Sequence, residues 1–119
     1  MLPRPQRLTK PREYSRVYKT GQQISSSHLR LIYEFSDQNL ARFGFVISKK
    51  QVAKIALRNR LKRILRAEIR RFLPELISGF NAVIQAKPAS APLPADLLRQ
   101  ELAQILKKAK LFKNDQTPS

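Results

Sequence analysis

Three segments of the chain carry apolar or aromatic residues at the three- and four-residue spacing of an amphipathic helix. Leu98 and Leu102 show this spacing in the last of them. The first segment has Thr9 as its N-cap and Gly21 as its stop, and the second ends before Pro74, because the residue ahead of a proline is pushed out of the helical region. The sequence therefore predicts helices over residues 10–20, 52–73 and 94–110.

Between the helices lie three runs rich in β-branched, aromatic and aliphatic residues, the composition typical of β-strands. The predicted strands cover residues 26–35, 42–48 and 80–86. Turn-forming residues at 36–39 separate the first two strands, which favours an antiparallel hairpin. The order α-β-β-α-β-α predicts an α/β (α+β) two-layer sandwich, in which helices cover a small sheet of mixed strand direction.

The length and composition of the chain fit one domain. Its 119 residues are 42% apolar, which is enough for one hydrophobic core but hardly for two. We place a single domain over residues 1–113, with a basic arm containing two prolines over 1–8, and expect a disordered tail over 114–119. No apolar run has the length of a signal peptide or a membrane span, so no membrane partner is expected.

The chain is strongly basic. Its 24 Lys and Arg oppose 8 Asp and Glu, which gives a formal net charge of +16. A compact state of this size would repel itself at that charge unless a polyanion is usually close by. Nucleic acid is the polyanion that fits best, because Lys and Arg neutralise backbone phosphates.

The positive charge is concentrated on the second predicted helix and the strand before it. Residues 42–71 hold eleven of the 24 cations and one acid, Glu68. Winding the helix at 100° per residue places a polar stripe opposite an apolar arc. The stripe consists of Arg58, Asn59, Lys62, Arg63, Arg66 and Arg70. Since like charges four residues apart repel, a stripe without acids predicts a polyanion-binding face. Lysines near the helix start extend this face: Lys49, Lys50 and Lys54.

Side chains suited to catalysis or metal binding are scarce. His28 is the only histidine, cysteine is absent, and the acids are scattered along the chain. The sequence therefore predicts no imidazole acid–base pair, no thiolate nucleophile and no two-metal carboxylate site. We expect a binding protein without catalytic residues or a metal site of its own.

A short motif in the basic helix, with its surroundings, is more specific than charge. The motif is Arg58-Asn59-Arg60, with Lys62, Arg63 and Arg66 in register behind it and the segments 42–50 and 52–54 ahead of it. Three shorter segments elsewhere in the chain add to this pattern: Arg7-Leu8, Lys19-Thr20-Gly21 and Ala86-Lys87-Pro88-Ala89. Together these segments, spread over nearly the whole chain, closely resemble the protein component of bacterial ribonuclease P.

The resemblance implies a function and a set of partners. Members of that family assemble with a catalytic RNA to remove the 5′ leader of precursor transfer RNA. The RNA holds the catalytic Mg²⁺ ions and performs the hydrolysis, so neither a cofactor bound tightly by the protein nor a small-molecule substrate is expected. A bacterial cytoplasmic location and a left-handed β-α-β crossover are implied in the same way, the crossover against the general right-handed rule.

The family's two binding surfaces carry over to residues of this chain. Its basic helix docks on the catalytic RNA, and a cleft between the sheet and the first helix takes the single-stranded leader. The residues implied at the RNA subunit are Arg58, Asn59, Arg60, Lys62, Arg63 and Arg66, with Lys49, Lys50, Lys54 and Arg70 extending the surface. The residues implied at the leader are Tyr14, Tyr18, Arg30, Tyr33 and Lys87.

Each tyrosine side chain could either contact RNA or pack in the core. Tyr14 and Tyr18 share a helix face at a spacing of four, where they can stack on bases or anchor the helix in the core. Tyr33 alternates with Leu29, Leu31 and Phe35, which favours the core for its side chain.

Two other classes of protein stay open on the residues alone. A structural RNA-binding protein of the ribosome would show a similar size, charge and arginine-rich helix, and would co-sediment with a ribosomal subunit. A DNA-binding protein is less favoured, because the cations run along the whole helix and no dimer signature is present.

Overall fold

The structure of the chain is a computed structural model, which describes residues 7–50, 52–87 and 93–113. Most of the predicted basic arm, residues 1–6, and the predicted tail, residues 114–119, lie outside the described residues.

Three α-helices and four β-strands make up the described part of the chain. In chain order they are α1 (Pro11–Thr20), β1 (Gln22–Ser25), β2 (Leu29–Phe35), β3 (Ala41–Val46), α2 (Ile55–Phe72), β4 (Phe80–Ala86) and α3 (Ala95–Lys108). The predicted second helix starts three residues later than expected, and a 3₁₀ turn, Leu73–Glu75, follows it.

The strands form one mixed sheet in the order β1-β2-β4-β3. β4 is antiparallel to β2 and parallel to β3, and α2 connects these two parallel strands. Gln85 of β4 consequently lies between Arg30 of β2 and Val46 of β3. The predicted α+β fold with a mixed sheet is confirmed.

The predicted hairpin between residues 26–35 and 42–48 is wrong, because β4 lies between these strands. The loop that joins them bonds to the start of β4. Ser36 N donates to Gly79 O at 2.7 Å, and Gly79 N donates to Leu40 O at 2.9 Å. β4 is an inner strand, and buried residues occupy both of its faces, as expected for a strand covered on both sides.

Strand β1 has no counterpart among the predicted strands. Three of its four residues are exposed, so its sequence lacks the apolar alternation that marks a strand. It pairs with β2 in antiparallel register, from Gln22 opposite Tyr33 to Ser25 opposite Arg30. The hairpin of this sheet is therefore β1–β2.

Helices lie on both faces of the sheet. On one face α2 and α3 enclose the main core, which contains Leu29, Leu31, Phe43, Phe80, Ile84, Leu61, Leu65, Ile69, Leu98 and Leu102. On the opposite face α1 packs Val17 against Ile32 and Val83 in a smaller apolar cluster. α1 therefore adds a partial cover behind the sandwich of sheet and helix pair.

The ends of α1 are set by local hydrogen bonds. Its N-cap is Lys10, so the predicted cap Thr9 is wrong and lies one residue too early. The Glu13 carboxylate accepts the N–H groups of both residues, at 3.1 Å from Lys10 and 3.3 Å from Thr9, which satisfies donors at the helix start. Gly21 ends the helix as predicted, and its N–H donates to Val17 O at 2.8 Å.

Gly44 in β3 lets α1 approach the sheet closely. A Cβ atom at this position would overlap the ring and hydroxyl of Tyr14. The Tyr14 hydroxyl donates to Leu8 O at 3.1 Å, and burial raises the pKa of Tyr14 above its ordinary value. The ring of Tyr14 therefore lies across the backbone of β3.

Glu101 of α3 fixes the turn between β1 and β2. Its carboxylate accepts the Ser26 hydroxyl and the His28 N–H, the latter at 2.8 Å, and lies 2.7 Å from His28 Nδ1. Burial by itself would raise the pKa of Glu101, but the hydrogen bonds from Ser26 and His28 outweigh it and lower the pKa below the ordinary 4.5.

Replacing Gly44 by Ala should destabilise the protein. Alanine ordinarily strengthens a strand, but here the added methyl group collides with the Tyr14 ring, and such overpacking costs about 1–3 kcal/mol. Urea unfolding measures this loss. In a Tyr14→Ala background the same substitution should cost little, and an equal loss in both backgrounds would show that the ring is not the cause.

Replacing Glu101 by Gln should flatten the acid limb of the stability profile. A carboxylate whose pKa is lower in the folded than in the unfolded state stabilises the fold above the unfolded pKa, and this contribution is lost as the pH falls through the folded pKa. Urea midpoints of the wild type should therefore fall more steeply below pH 4.5 than those of Glu101→Gln. Asp96→Asn, on the same helix but with a side chain 84% exposed, should follow the wild type. Parallel profiles for wild type and Glu101→Gln would contradict this account.

Candidate nucleic-acid interface

Five of the predicted RNA-binding cations gather at one end of the sheet. Because β2 runs against β4 while β3 runs with it, β2 begins where β3 and β4 finish. Arg30 lies at the start of β2, and Lys87 follows β4. Lys49 and Lys50 follow β3, and Lys54 is the N-cap of α2. These charges, far apart in sequence, make one end of the molecule electropositive.

The middle of the α2 stripe is open to a ligand. Asn59, Arg63 and Arg70 are exposed, and Lys62 is half-buried. None of these four side chains makes a hydrogen bond or an ion pair with the described residues. Their cationic groups and the amide of Asn59 therefore remain free for phosphates and hydroxyls.

The one acid of α2, Glu68, does not neutralise the stripe. It is 4% exposed and lies on the side of the helix that faces α3. Its carboxylate pairs with Arg71 at 3.3 Å and with Arg99 of α3 at 3.2 Å.

Arg58 of the stripe, and Arg60 of the residues implied at the RNA subunit, are placed differently from these four side chains. Nη1 of Arg58 donates to Val52 O at 2.9 Å and to Ala53 O at 2.8 Å. Nη2 of Arg60 donates to Leu93 O at 2.7 Å. Both guanidinium groups thus hold the backbone that leads into α2 or α3. Their positive charges still add to the electrostatic potential at the cationic end of the sheet.

Arg66 joins the stripe to the opposite face of the sheet. Its guanidinium carbon lies 5.8 Å from the ring centroid of Phe45 in the edge strand β3, within cation–π range. Its charge also acts on the nearby hydroxyl of Tyr14, partly offsetting the rise in the pKa of Tyr14 caused by burial. The cationic face of α2 therefore continues around the edge of β3 to α1.

One side of α1 presents aromatic and basic groups. Tyr18 is 38% exposed, and its hydroxyl accepts a hydrogen bond from Gln85 Nε2 at 2.8 Å. The exposed Arg30 lies opposite Gln85 in the sheet, and the half-buried Tyr14 is one helical turn from Tyr18. Of the predicted leader residues, the structure brings Tyr14, Tyr18 and Arg30 together. Gln85 was not predicted, although it and Asn81 are the two polar residues of a strand that is otherwise apolar.

On the other side of α1, the charged side chains are engaged in ion pairs. Glu13 pairs with Arg42 at 2.6 Å, and Arg16 pairs with Glu34 at 3.1 Å. Thr20 also donates to the Glu34 carboxylate. Since acids neutralise the cations on this side, the electrostatic potential favours a polyanion on the side of Tyr14 and Tyr18.

Tyr33 and Lys87 stand apart from this group. Tyr33 is 6% exposed on the face covered by α3, where its hydroxyl donates to Gln22 Oε1 at 3.0 Å. The structure therefore places it in the core, across the sheet from Tyr18. Lys87 lies at the cationic end, where its Nζ donates to Ser26 O at 2.5 Å.

Within the described ranges, no group of three or more His, Cys, Asp or Glu side chains could hold a metal ion. Among the same residues, every helix is too short or too polar to span a membrane. What these residues offer chemically is a surface of cations, amides and aromatic rings.

Comparison with known proteins finds relatives over nearly the whole chain. The family model described as Ribonuclease P matches residues 2–110. The chain is 40% identical over 115 residues to the Ribonuclease P protein component of Microcystis aeruginosa, covering 93% of this chain and 96% of that protein. It is 35% identical over 128 residues to the protein of the same name from a Cyanothece species, covering 94% and 98%.

Solved structures share the fold. The RNase P protein of Staphylococcus aureus superposes with a TM-score of 0.84 at 22% identity, over 91% of this chain and 98% of that one. The RNase P protein of Thermotoga maritima superposes with a TM-score of 0.78 at 24% identity, over 86% and 96%. The match of the family model over residues 2–110 and the 40% identity to the Microcystis aeruginosa protein place the chain in the ribonuclease P protein family.

Proposed function

We propose that the chain is the protein subunit of a ribonuclease P holoenzyme. It binds the catalytic RNA through α2 and the 5′ leader of precursor transfer RNA through the Tyr14–Tyr18 side of α1, and it thereby assists removal of the leader. The observation that carries this proposal is the stripe on α2, beside whose cations the described part of the chain places no acid. Its continuity with the aromatic side of α1 around β3 supports a second RNA segment there.

The α2 stripe suits a folded RNA. Arginine forks such as Arg63 and Arg70 can pair with two phosphate oxygens at once, and the point charge of Lys62 adds attraction. Asn59 both donates and accepts, which suits a 2′-hydroxyl or a base edge. Affinity from such contacts falls steeply with salt, because each neutralised phosphate releases counterions.

The side of α1 that carries Tyr14 and Tyr18 suits a single strand. Aromatic rings stack on any base, so they can hold leaders of varied sequence. Arg30 supplies a charge for the backbone of the same strand, and Gln85 holds the Tyr18 hydroxyl at 2.8 Å. Tyr33, which the family resemblance placed at the leader, is left out of this surface because its ring is buried.

The hydrolysis itself is assigned to the RNA partner. Mg²⁺ supplies the metal-ion chemistry when bound there, and the described residues offer no cluster of three ligands that would hold it on the protein. The side chains of this chain bind and orient the two RNA segments relative to each other. The bacterial cytoplasm is the compartment in which both RNAs meet.

A structural protein of the ribosome remains the second candidate. Both proteins would bind RNA through a basic helix, so RNA affinity alone does not separate them. Restoration of leader cleavage does, because a ribosomal protein has no part in it.

Leader removal is the direct test. The purified protein, bacterial ribonuclease P RNA and a precursor transfer RNA with a 5′ leader are mixed at a magnesium concentration too low for the RNA alone. We expect cleavage with protein and RNA together, and none with the protein alone. Failure to restore cleavage despite tight RNA binding would overturn the proposal and direct attention to ribosomal subunits.

The double substitution Lys62→Gln/Arg63→Gln should weaken binding to the catalytic RNA. If both side chains neutralise phosphates, the slope of log affinity against log salt should fall by about 2, one unit per lost phosphate contact. Filter binding over a range of salt concentrations measures the slope. Lys108→Gln, an exposed cation at the far end of α3, should leave the slope unchanged. Equal slopes for all three proteins would contradict the role of α2.

Substitutions at Tyr18 should change leader affinity selectively. Tyr18→Ala should weaken binding of leader-bearing precursor by about 1–3 kcal/mol, the value of one stacked base, and leave binding of mature transfer RNA unchanged. Tyr18→Phe keeps the stacking face and should retain most of the affinity. Tyr33→Phe, which alters a hydroxyl on the buried face, serves as the matched control and should bind the leader normally. Loss of mature transfer RNA binding in Tyr18→Ala would point to a general defect.

A further inference from the structure

A small cavity lies where the turn between β1 and β2 meets α3. Its volume is about 200 Å³, and it is lined by His28, Leu93, Leu97, Gln100, Glu101 and Gln104. None of these residues belongs to the RNA-binding surfaces already described. The cavity is large enough for a planar heterocycle and opens to the solvent.

The cavity has the chemistry of a nucleobase site. Leu93 and Leu97 supply apolar contact, and Leu97 is 50% exposed although it is a large apolar residue. Gln100 and Gln104 are exposed one helical turn apart, and their amides make no hydrogen bond or ion pair with the described residues. Apolar walls with adaptable amide groups are what single-stranded RNA bases meet in proteins, where rings stack and base edges are hydrogen-bonded.

The imidazole of His28 is held in a fixed orientation beside the cavity. Its Nδ1 lies 2.7 Å from Glu101 Oε1, and its backbone N–H donates to Glu101 Oε2 at 2.8 Å. The Ser26 hydroxyl donates to the same Oε2. The only acid in the cavity lining is thus already engaged by three donors, and the ring it holds offers a flat face and its second nitrogen.

The cavity adjoins the leader surface through Lys87. The Lys87 backbone N–H donates to His28 O at 2.9 Å, and its Nζ donates to Ser26 O at 2.5 Å. Arg30 follows His28 by two residues and lies opposite Gln85, the partner of Tyr18. A strand that stacks at Tyr18 and passes Arg30 therefore meets Lys87 and then the cavity as it crosses the end of the sheet.

We propose that the cavity between His28 and α3 binds one nucleobase of the leader, beyond the part held against α1. The inference rests on the proposed function, since it takes the leader as the strand that reaches this end of the sheet. The site binds the base and not the phosphate, because its apolar walls and its engaged carboxylate suit a neutral heterocycle. Glu101 acts as a positioning residue through His28.

A fluorescent base analogue locates such a site. 2-Aminopurine is placed at each successive leader position of a precursor transfer RNA, and its fluorescence is measured on binding to the reconstituted holoenzyme. We expect two separated zones of fluorescence change, a proximal one that depends on Tyr18 and a distal one that depends on the cavity. Leu97→Ser and Gln104→Ala should abolish the distal change and leave the proximal one intact.

Affinity gives a second readout on the same variants. Extending the leader into the distal zone should tighten binding to the wild type about five- to tenfold, the lower range for one base contact, and Leu97→Ser or Gln104→Ala should remove this gain. Both substitutions lie on the outer surface of α3, and thermal unfolding checks that the fold is kept. Gln38→Ala, which removes an exposed glutamine side chain in the loop before β3, is the matched control and should behave as wild type.

The outcomes separate the two proposals. A Tyr18-dependent proximal zone without a distal zone, or with a distal zone that neither cavity variant alters, overturns the cavity site and leaves the proposed function standing. Absence of any leader-dependent signal or affinity in the wild-type holoenzyme overturns the leader surface itself, and the cavity site with it.

Discussion

The parallel pairing of β3 with β4 determines where this protein is positively charged. Two neighbouring parallel strands need a connection that returns to the starting end, so α2 must begin where β3 finishes and run back along the sheet. The lysines that follow β3, the first turns of α2 and the residue after β4 are thereby brought to one end. The antiparallel β2 adds Arg30 from its own beginning. One topological constraint thus assembles a binding surface from segments far apart in the chain.

The positions of the acidic residues mark the binding surface as clearly as those of the cations do. Glu13 and Glu34 form ion pairs with arginines on one side of α1, and Glu68 forms ion pairs with arginines of α2 and α3. Glu101 accepts a hydrogen bond from the turn between β1 and β2. Each of these four carboxylates has a structural partner away from the stripe. The excess of +16 is therefore not spread evenly, because the acids neutralise the scaffold and leave the open face of α2 without counter-charges.

Much of this arrangement could be predicted from local patterns in the sequence. The helical spacing of apolar residues located all three helices, and the resemblance around Arg58-Asn59-Arg60 identified the family. The pairing of strands could not be predicted, because the loop at 36–39 has turn chemistry that suits a hairpin, and no local pattern shows that a strand much later in the chain pairs between β2 and β3. β1 was missed because three of its four residues are exposed.

The roles of individual cations were equally hard to read from sequence. A helical wheel gives the direction in which a side chain leaves the helix, but not where its charged end lies or which groups it contacts. Arg58 and Arg60 bend back to carbonyl oxygens in adjoining segments, which the wheel cannot show. Period-two alternation did indicate correctly that Tyr33 lies with the core, where family resemblance alone placed it at the leader.

The central position of β4 also constrains how the chain can assemble. β4 is the last strand to leave the ribosome, yet both β2 and β3 depend on it, since neither pairs with the other. Before it is made, the nascent chain can form the β1–β2 hairpin and the contact between Leu8 N and Phe43 O, with α1 beside both but no backbone pairing between β2 and β3. Contacts so distant in sequence are slow to form, because the intervening loops must close first. The β1–β2 hairpin and β3 are therefore joined into one sheet only when the final strand pairs between them.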